Sequence, residues 1–487
     1  MILRLILIIG IFFIMHNDII FAGADIETKE KKYKIEINID MNDLVKSQKL
    51  FDELISTNSQ DYSKYIKLVS ELSKAKIAYA NESFLLGIIN RIPAKVVSNE
   101  LEKLLNSFLF KKGTRYLQKS FADKMEKNNS NVARYLSARN YFIQGKIEAA
   151  INSIRLVSEE YSVKALAVNL EASALSLLER YDEAIERYGE CLSTNKRFLQ
   201  QLSNDEFFHQ ERTTLEINQE LCLLGMARTF YAVGEYDKAY FIYMSISKNS
   251  YLWPTAVFEE AWNSYKLEDI NRTLGKLAIL SLPILEKRIN SEAAVLKVNS
   301  YIKFCMWEEV KSSINRYRNQ YSNYLQLLRK WSNQRKSQDE TVGVLLNGIV
   351  SKPAWNILNR SLKEAEYELS QIQGSDLKSN YKNVLIANIN NFIKNQKKIA
   401  ENYLEITVEN KISETEYVLV TLNHLYTSKH VNQVSSGGVE TRENSGENKG
   451  ENMSLVLRKD EYRWNFNGEL WGDELGDYVY KIRSNCH

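Results

Sequence analysis

The sequence is poor in residues that interrupt helices and in residues that bind zinc. Its 487 residues include only 4 prolines and 19 glycines, the two residue types that most disfavour helix interiors. The four cysteines and five histidines are scattered, and no two cysteines stand at C-x-x-C spacing. A zinc cluster with nitrogen and sulfur ligands is therefore not expected. With 44% hydrophobic and 26% charged residues, this composition predicts a globular, mainly helical protein.

The charge is nearly balanced, and no motif for catalysis is visible. There are 64 Lys and Arg residues against 61 Asp and Glu, a formal charge of +3. A dedicated nucleic-acid-binding protein normally carries a larger basic excess, so nucleic acid is not an expected partner. The sequence contains no nucleophile motif, phosphate-binding loop or metal cluster. We therefore expect no cofactor, no small-molecule substrate and no enzymatic activity.

Beyond the N-terminus no apolar run is long enough to span a membrane. Residues 1–24 combine a basic residue, Arg4, with the apolar run Leu5–Met15 and the small-residue exit Ala22-Gly23-Ala24. This order is typical of a secretory signal peptide, cleaved here after Ala24. An uncleaved anchor is the alternative, although the run is shorter than the roughly 20 residues that a spanning helix needs. We expect an exported, periplasmic protein whose membrane association is peripheral or depends on an uncleaved signal.

Three segments repeat one pattern of turn, alanine and large residue. They are GKIEAAINSIRLV from Gly145, ERYDEAIERYGEC from Glu179 and GEYDKAYFIYMSI from Gly234. An alanine follows each first residue by five positions, and another precedes it by seven. This spacing predicts two helices that cross at small side chains. The predicted packing alanines are Ala138, Ala150, Ala172, Ala184, Ala227, Ala239 and, in a weaker fourth copy, Ala261.

The copies follow one another at a fixed period, with one interruption. Ala184 follows Ala150 by a single period, whereas the distance from Ala184 to Ala239 is clearly longer. The excess indicates an insertion around 194–214, with room for a short helix. In two weaker copies Thr273 and Val310 replace the second alanine, and we expect these copies to pack less tightly.

This pattern resembles the tetratricopeptide repeat, a helix-turn-helix with a period of about 34 residues. The resemblance implies an all-α solenoid of stacked helical hairpins over residues 131–320. It also implies a concave groove that binds protein partners. Residues 25–130 are helical by pattern and form either a cap or degenerate repeats. The groove residues that we expect on the first helices are Tyr141, Asn169, Arg228 and Glu260.

Two further segments separate the repeats from the C-terminus. Residues 321–427 carry apolar residues at three-and-four spacing on both sides of Gly374-Ser375-Asp376. This arrangement predicts a long, coiled-coil-like helical hairpin that either projects from the repeats or folds back on them. Residues 428–452 contain almost no large apolar side chains and are predicted to be a disordered linker.

The C-terminal segment 453–487 contains the sequence WNFNGELWGDELGDY. Alternating apolar residues around it predict short strands. Its carboxylates would suit a glycosidase pair only inside a walled cleft, which so short a segment lacks, and their spacing does not match a calcium loop. We therefore interpret the segment as a latch. Its expected anchors are Trp464, Phe466, Trp471 and Tyr478.

The same segment resembles the tail of a group of exported tetratricopeptide proteins from Gram-negative bacteria. The shared form is G-E-x-W-x-D-E-L-G-x-Y followed by a near-terminal cysteine, here Cys486, and it accompanies a W-P-x-A repeat like the one that begins at Trp253. The residues alone leave the pairing of the four cysteines open. The resemblance implies a disulfide between Cys305 and Cys486 that holds the tail on the last repeat.

Three functions remain in view from the sequence. The first is a non-enzymatic periplasmic scaffold, with protein partners in the cell envelope, for a motility, pilus, secretion or outer-membrane assembly system. The second is an envelope-glycan binder or hydrolase that uses Trp471 and the tail acids. The third is a membrane-anchored co-chaperone, if the signal stays uncut. The sequence leaves the partner, the oligomeric state and the role of the acidic motif open.

Overall fold

A computed structural model of the protein describes residues 39–57, 62–81, 84–85, 97–112, 129–202, 209–250, 252–281, 292–334, 353–436, 479–480 and 482–486. The predicted signal 1–24 lies outside these residues. The helices are α1 Met41–Ser56, α2 Tyr62–Lys74, α3 Asn99–Lys112, α4 Asn131–Ile143, α5 Ile147–Arg155, α6 Val163–Leu177, α7 Tyr181–Gln201, α8 His209–Val233, α9 Tyr236–Met244, α10 Trp253–Lys266, α11 Ile270–Leu280, α12 Glu292–Lys303, α13 Trp307–Gln334, α14 Pro353–Gln373 and α15 Ser379–Ser436.

The chain divides into two compact units. Unit 1 contains residues 1–259 and 327–410, and unit 2 contains residues 260–326 and 411–487. Within the described residues every regular element is a helix, which confirms the all-α prediction. No described helix is both long and apolar enough to cross a bilayer.

One turn geometry recurs between the two helices of each predicted pair. One or two positions after the first helix a residue is left-handed, with φ values of 74°, 61°, 91°, 64° and 56° at Gly145, Glu179, Gly234, Glu268 and Cys305. The next residue then donates its N–H to a carbonyl five positions back, as Lys146 does to Tyr141 at 2.9 Å. This pattern is the Schellman motif, which ends a helix by satisfying its last carbonyls. The helix-turn-helix repeat predicted from the sequence is therefore confirmed at all five positions.

The predicted packing alanines are completely buried, with 0% exposure at all seven positions. Thr273 and Val310, which replace alanine in the later copies, are also 0% exposed. The Thr273 hydroxyl donates to the Asp269 carbonyl at 2.9 Å, so its burial leaves no donor unsatisfied. Close helix contact also explains Gly225 on α8, because a Cβ there would lie 2.4 Å from the Tyr188 ring of α7.

The insertion between the second and third pairs lengthens existing helices. The prediction allowed a short helix near 194–214, but α7 continues to Gln201 and α8 begins at His209. The described residues up to Gln201 and from His209 onward extend those two helices, and polar residues such as Asn195 and Thr214 are buried there. A disulfide between Cys191 and Cys222 links α7 to α8, and both cysteines are fully buried. The extended helices are thus bonded covalently inside unit 1.

Helix α3 lies across the N-terminal ends of two first helices. Its Glu102 carboxylate accepts the Val132 N–H of α4 at 3.0 Å, and its Asn106 side chain accepts the Val163 N–H of α6 at 3.1 Å. The four-residue spacing puts both acceptors on one face of α3. Backbone N–H groups at a helix start lack partners within the helix, so α3 provides them. This geometry supports the cap interpretation of residues 25–130. Helix α2, however, is followed by the same left-handed turn, at Lys76 with φ 62°, as a degenerate repeat would be.

The hairpin of α14 and α15 folds back on the N-terminal helices within unit 1. The Tyr381 hydroxyl lies 2.8 Å from the Ser47 hydroxyl of α1, and both side chains are buried. The fully buried Glu368 carboxylate accepts the N–H groups of Ala78, Tyr79 and Ala80 at 2.8–3.1 Å. The folded-back alternative is therefore the one found here.

The structure shifts two predicted boundaries. Helix α13 continues to Gln334, so residues 321–334 belong to the fifth helical pair and not to the hairpin. Helix α15 continues to Ser436, so residues 428–436 of the predicted linker are helical, and the remainder of that linker lies outside the described residues. Residue 321 was chosen as the start of longer helices, and residue 428 as the start of a segment with almost no large apolar side chains. Helices α13 and α15 continue past these two points.

The core of unit 2 is built from α11, α12, the first turns of α13 and the C-terminal half of α15. Its fully buried members include Val298, Val310, Val418 and Leu422. The strand prediction for the tail is not supported in the described residues 479–480 and 482–486, which carry no strand. The backbone groups of this extended segment bond instead to Asn271 of α11 and to Phe304 in the turn after α12.

Replacing Glu368 with alanine is expected to destabilise unit 1 by at least about 3 kcal/mol, because three buried backbone N–H groups lose their acceptor. Urea unfolding followed by circular dichroism measures the change. Glu366 lies on the same helix but is exposed, so Glu366→Ala should change stability by less than about 0.5 kcal/mol. Equal effects of the two substitutions would contradict the anchoring role of Glu368.

Candidate interaction site

No catalytic or metal centre is evident in the described part of the chain. Within those residues no group of three His, Cys, Asp or Glu side chains could hold a metal ion. The most distinct feature with functional geometry is a surface of unit 2 on which the described C-terminal residues lie as an extended peptide. We call this surface, formed by Asn271, Tyr301, Phe304 and Cys305, the tail site.

Asn271 is positioned by the start of α11. The Asp269 carboxylate caps this helix by accepting the Arg272 N–H at 3.0 Å, as an N-cap residue normally does. Asn271 therefore lies in the first helical turn. Its side-chain amide accepts the Ile482 N–H at 2.8 Å and donates to the Ile482 carbonyl at 3.3 Å. One side chain thus pairs with both backbone groups of a tail residue.

Two further backbone bonds extend the contact. The Tyr480 N–H donates to the Asn271 carbonyl at 3.0 Å, and the Asn485 N–H donates to the Phe304 carbonyl at 2.8 Å. Between these bonds the half-buried side chains of Tyr480 and Ile482 pack against the core of unit 2. The tail is therefore held by its backbone at four points and by two side chains.

A disulfide closes the tail site. Cys305, in the turn between α12 and α13, is bonded to Cys486 with an S–S distance of 2.03 Å and a Cα–Cα distance of 5.1 Å. This is the pair that the resemblance to exported tetratricopeptide proteins implied. The loop between the two cysteines spans 181 positions. In the chain-entropy model, closing a loop of this size stabilises the folded state by roughly 4 to 5 kcal/mol.

The structure and the sequence identify different residues as tail anchors. The predicted anchors Trp464, Phe466, Trp471 and Tyr478 lie outside the described residues. The described contacts come from Asn271, Tyr480 and Ile482, which the sequence analysis did not select as anchors. Alternation at Tyr480 and Ile482 was visible in the sequence and was interpreted as a strand. No local signal indicated that an asparagine 211 positions away would pair with it.

Three of the four predicted groove residues make contacts inside the repeats. Asn169 donates to the Asn218 side chain at 2.8 Å, which ties α6 to α8. Arg228 on α8 reaches Glu259 on α10 with two bonds of 2.9 and 2.6 Å. These bonds use the planar fork that guanidinium offers to a carboxylate. The third residue, Tyr141, is half-buried and packs against the core of unit 1.

Glu260 requires a correction, because it is only 1% exposed and cannot contact a partner from a groove surface. Its carboxylate lies 3.1 Å from the Lys276 ammonium, and it accepts the Ser264 hydroxyl at 2.7 Å. Burial raises the pKa of Glu260, and the charge of Lys276 opposes that rise. The pair is an internal tie between α10 and α11 within unit 2.

A second carboxyl of unit 2 has a shifted pKa. Burial raises the pKa of Glu292, at the start of α12, to about 7, and repulsion from Glu414 on α15 adds to the rise. Glu414 itself pairs with Lys411 at 3.2 Å. The charge state of Glu292 therefore changes near neutral pH.

Substituting Lys276 with methionine is expected to cost about 3–5 kcal/mol, because the Glu260 charge stays buried without its partner. Replacing both residues with methionine should restore stability to within about 1 kcal/mol of the wild type. The exposed pair Lys303–Glu268 has a similar distance of 3.0 Å and serves as the control. Lys303→Met should cost less than about 1 kcal/mol. A double variant as unstable as Lys276→Met would contradict this account.

The free energy of unfolding should fall as pH rises from about 4.5 to 7, since folded Glu292 binds more protons there than the unfolded chain. The expected contribution is about 2–3 kcal/mol, and Glu292→Gln should remove it. Urea titrations of both proteins at pH 5 and 8 measure the difference. The exposed Glu308, substituted in the same way, should leave the pH dependence unchanged. Parallel curves for wild type and Glu292→Gln would refute the assignment.

Comparison with known proteins does not place the chain in a family. No family model matches it, and no curated protein matches it. It is similar to a solved structure described as a Rap protein complexed with Competence and Sporulation Factor, at 13% sequence identity and a TM-score of 0.32. The match covers 71% of this chain and 99% of that chain. A similarity at this level carries no functional argument, so the fold rests on the helices and turns described above.

Proposed function

We propose that this protein is a non-enzymatic protein-binding scaffold in the periplasm of a Gram-negative-type cell. The observation that carries the proposal is the tail site, where a surface of helical pairs already holds an extended peptide segment. Backbone bonds from Asn271 and Phe304 and contacts with Tyr480 and Ile482 make up this complex. Surfaces built from stacked helical pairs commonly bind proteins in this way.

The cysteines support an exported location. All four are paired, Cys191 with Cys222 and Cys305 with Cys486. Such bonds persist in oxidising compartments and are rare in the cytosol. The N-terminal run ending at Ala24, which lies outside the described residues, predicts the route of export. Together these features favour a mature protein in the periplasm.

The partners that suit this setting are proteins of an envelope machine, for which motility, pilus, secretion and outer-membrane assembly systems are the candidates. The surface of unit 1 offers an aromatic contact point on α9, where Phe241 is 69% exposed and packs edge-on against Tyr240. Unit 2 offers Val420 on α15, which is 68% exposed. Single exposed apolar side chains are common on protein surfaces, so Phe241 and Val420 serve here as probe positions, one in each unit.

The glycan-binding alternative depends on Trp471 and its neighbouring carboxylates, which lie outside the described residues. No described contact favours it. It makes a different prediction from the scaffold function. Purified peptidoglycan sacculi contain no protein partner, so only a protein that binds the glycan itself sediments with them. A glycan binder would sediment with these sacculi, and Trp471→Ala would abolish that sedimentation. A protein scaffold would remain in the supernatant.

The scaffold function is tested by photo-crosslinking in cells with p-benzoylphenylalanine placed at Phe241 or Val420. The expected result is a discrete adduct with the same envelope protein or complex from both positions, identified by mass spectrometry and reproduced from the partner's side. The exposed Asp237 on α9 is the control position and should give a weaker adduct. Adducts with no envelope protein from either position, or sedimentation with purified sacculi, would overturn the proposal.

A further inference from the structure

We propose that the tail site is a binding site for an extended peptide of another protein, which the chain's own tail occupies until a dithiol reductant opens the Cys305–Cys486 disulfide. The inference rests on the proposed scaffold function and adds to it the type of ligand and its control. The ligand chemistry is an extended segment with an aromatic residue two positions before a branched aliphatic residue.

The tail site recognises the peptide backbone. Asn271 offers one acceptor and one donor, and both bind the peptide groups of Ile482, at 2.8 and 3.3 Å. An amide side chain used in this way reproduces the pairing of a neighbouring strand. The bonds from Tyr480 to Asn271 and from Asn485 to Phe304 also involve only tail backbone. Such contacts accept any extended chain, whatever its sequence.

The tail site also contacts two side chains of the peptide. Residues two apart in an extended chain point to the same side, and Tyr480 and Ile482 both pack against the core of unit 2. By contrast Arg483, Ser484 and Asn485 are exposed. Specificity therefore comes from an aromatic and an aliphatic side chain separated by one residue. Many protein segments meet this requirement, so the native tail has competitors.

The noncovalent contacts between the tail and the tail site are few. Four backbone bonds and two half-buried side chains give only a small net binding free energy, because the peptide loses its translational freedom on binding. A tether raises the local concentration of the tail to roughly the millimolar range, which a partner peptide can exceed only by binding more tightly. The disulfide removes this competition, because it makes the tail complex permanent.

The two disulfides differ in access. Cys191 and Cys222 are both 0% exposed, whereas Cys486 is exposed and Cys305 is half-buried. Thiol–disulfide exchange requires an incoming thiolate to reach a sulfur. One thiolate of a dithiol attacks Cys486 Sγ, forms a mixed disulfide and releases Cys305 as a thiolate. The second thiol of the reductant then displaces Cys486, so the reductant leaves as a disulfide and both protein cysteines gain protons. The two electrons come from the dithiol.

The binding test uses the full-length protein and a fluorescent synthetic peptide, VYKIRSN, that reproduces residues 479–485. The opened protein carries Tyr480→Ser, Ile482→Ser and Cys486→Ser together, so its own tail no longer competes. Fluorescence anisotropy should show at least about 10-fold tighter binding to the opened protein than to the oxidised wild type, whose tail stays locked. Adding Asn271→Ala to the opened protein should weaken binding about 10-fold. The peptide VSKSRSN should bind neither protein.

The redox part is tested by timed reduction of the wild type with dithiothreitol, alkylation and peptide mapping. Cys305 and Cys486 should be alkylated at least about 10-fold faster than Cys191 and Cys222, and peptide binding should rise in step. If the opened protein is poorly folded, the single variant Cys486→Ser replaces it. Its peptide affinity should then exceed that of the oxidised wild type by a smaller factor, because its own tail still competes.

Equal binding to oxidised and opened protein, or no binding to an opened protein of unchanged helicity at about 1 mM peptide, would overturn the peptide site. Equal reduction rates for the two disulfides would overturn its redox control. These failures leave the scaffold function intact if Phe241 still crosslinks to an envelope partner. If the peptide still binds but the crosslink from Phe241 is lost, the peptide site stands and the scaffold function is wrong.

Discussion

Each of the five helical pairs of the repeats contains one residue that is held in the left-handed conformation between its two helices. The backbone of that residue ends the first helix and sets the direction of the second, so the alanine five positions later reaches the helix contact at Ala150, Ala184 and Ala239. Glycine adopts this conformation freely, yet Glu179, Glu268 and Cys305 adopt it as well. At Cys305 the same turn also presents the sulfur that bonds to the tail. One local geometry thus supports both the repeat and the tail site.

Buried polar groups make the longer connections. Glu102 and Glu368 each accept backbone N–H groups from a separate segment, and Asn271 does so for the tail. A buried carboxylate is unfavourable without partners, and burial raises the pKa of Glu102. Backbone N–H groups offset part of that cost, so only a segment that presents such donors can pack against the carboxylate. The N-terminal helices, the hairpin and the C-terminus are all positioned in this manner.

The sequence predicted the local structure well and the long-range contacts poorly. Periodic alanines and turn residues located the five helical pairs, because a repeat shows the same constraint several times. The extension of α7 and α8 was missed, since inserted residues with helical spacing give no separate signal. Glu260 was assigned to the groove because it lies on a first helix, and its ion pair with Lys276 on α11 explains its burial. Asn271 could not be identified, because its partner lies at the far end of the chain.

Disulfide mapping of the full-length protein, purified without reductant from the envelope fraction, tests the central claim most directly. Proteolysis and mass spectrometry under non-reducing conditions report which cysteines are joined. The account predicts one linked peptide pair containing Cys305 and Cys486 and another containing Cys191 and Cys222. Recovery of Cys486 as a free thiol, or joined to Cys191 or Cys222, would contradict it.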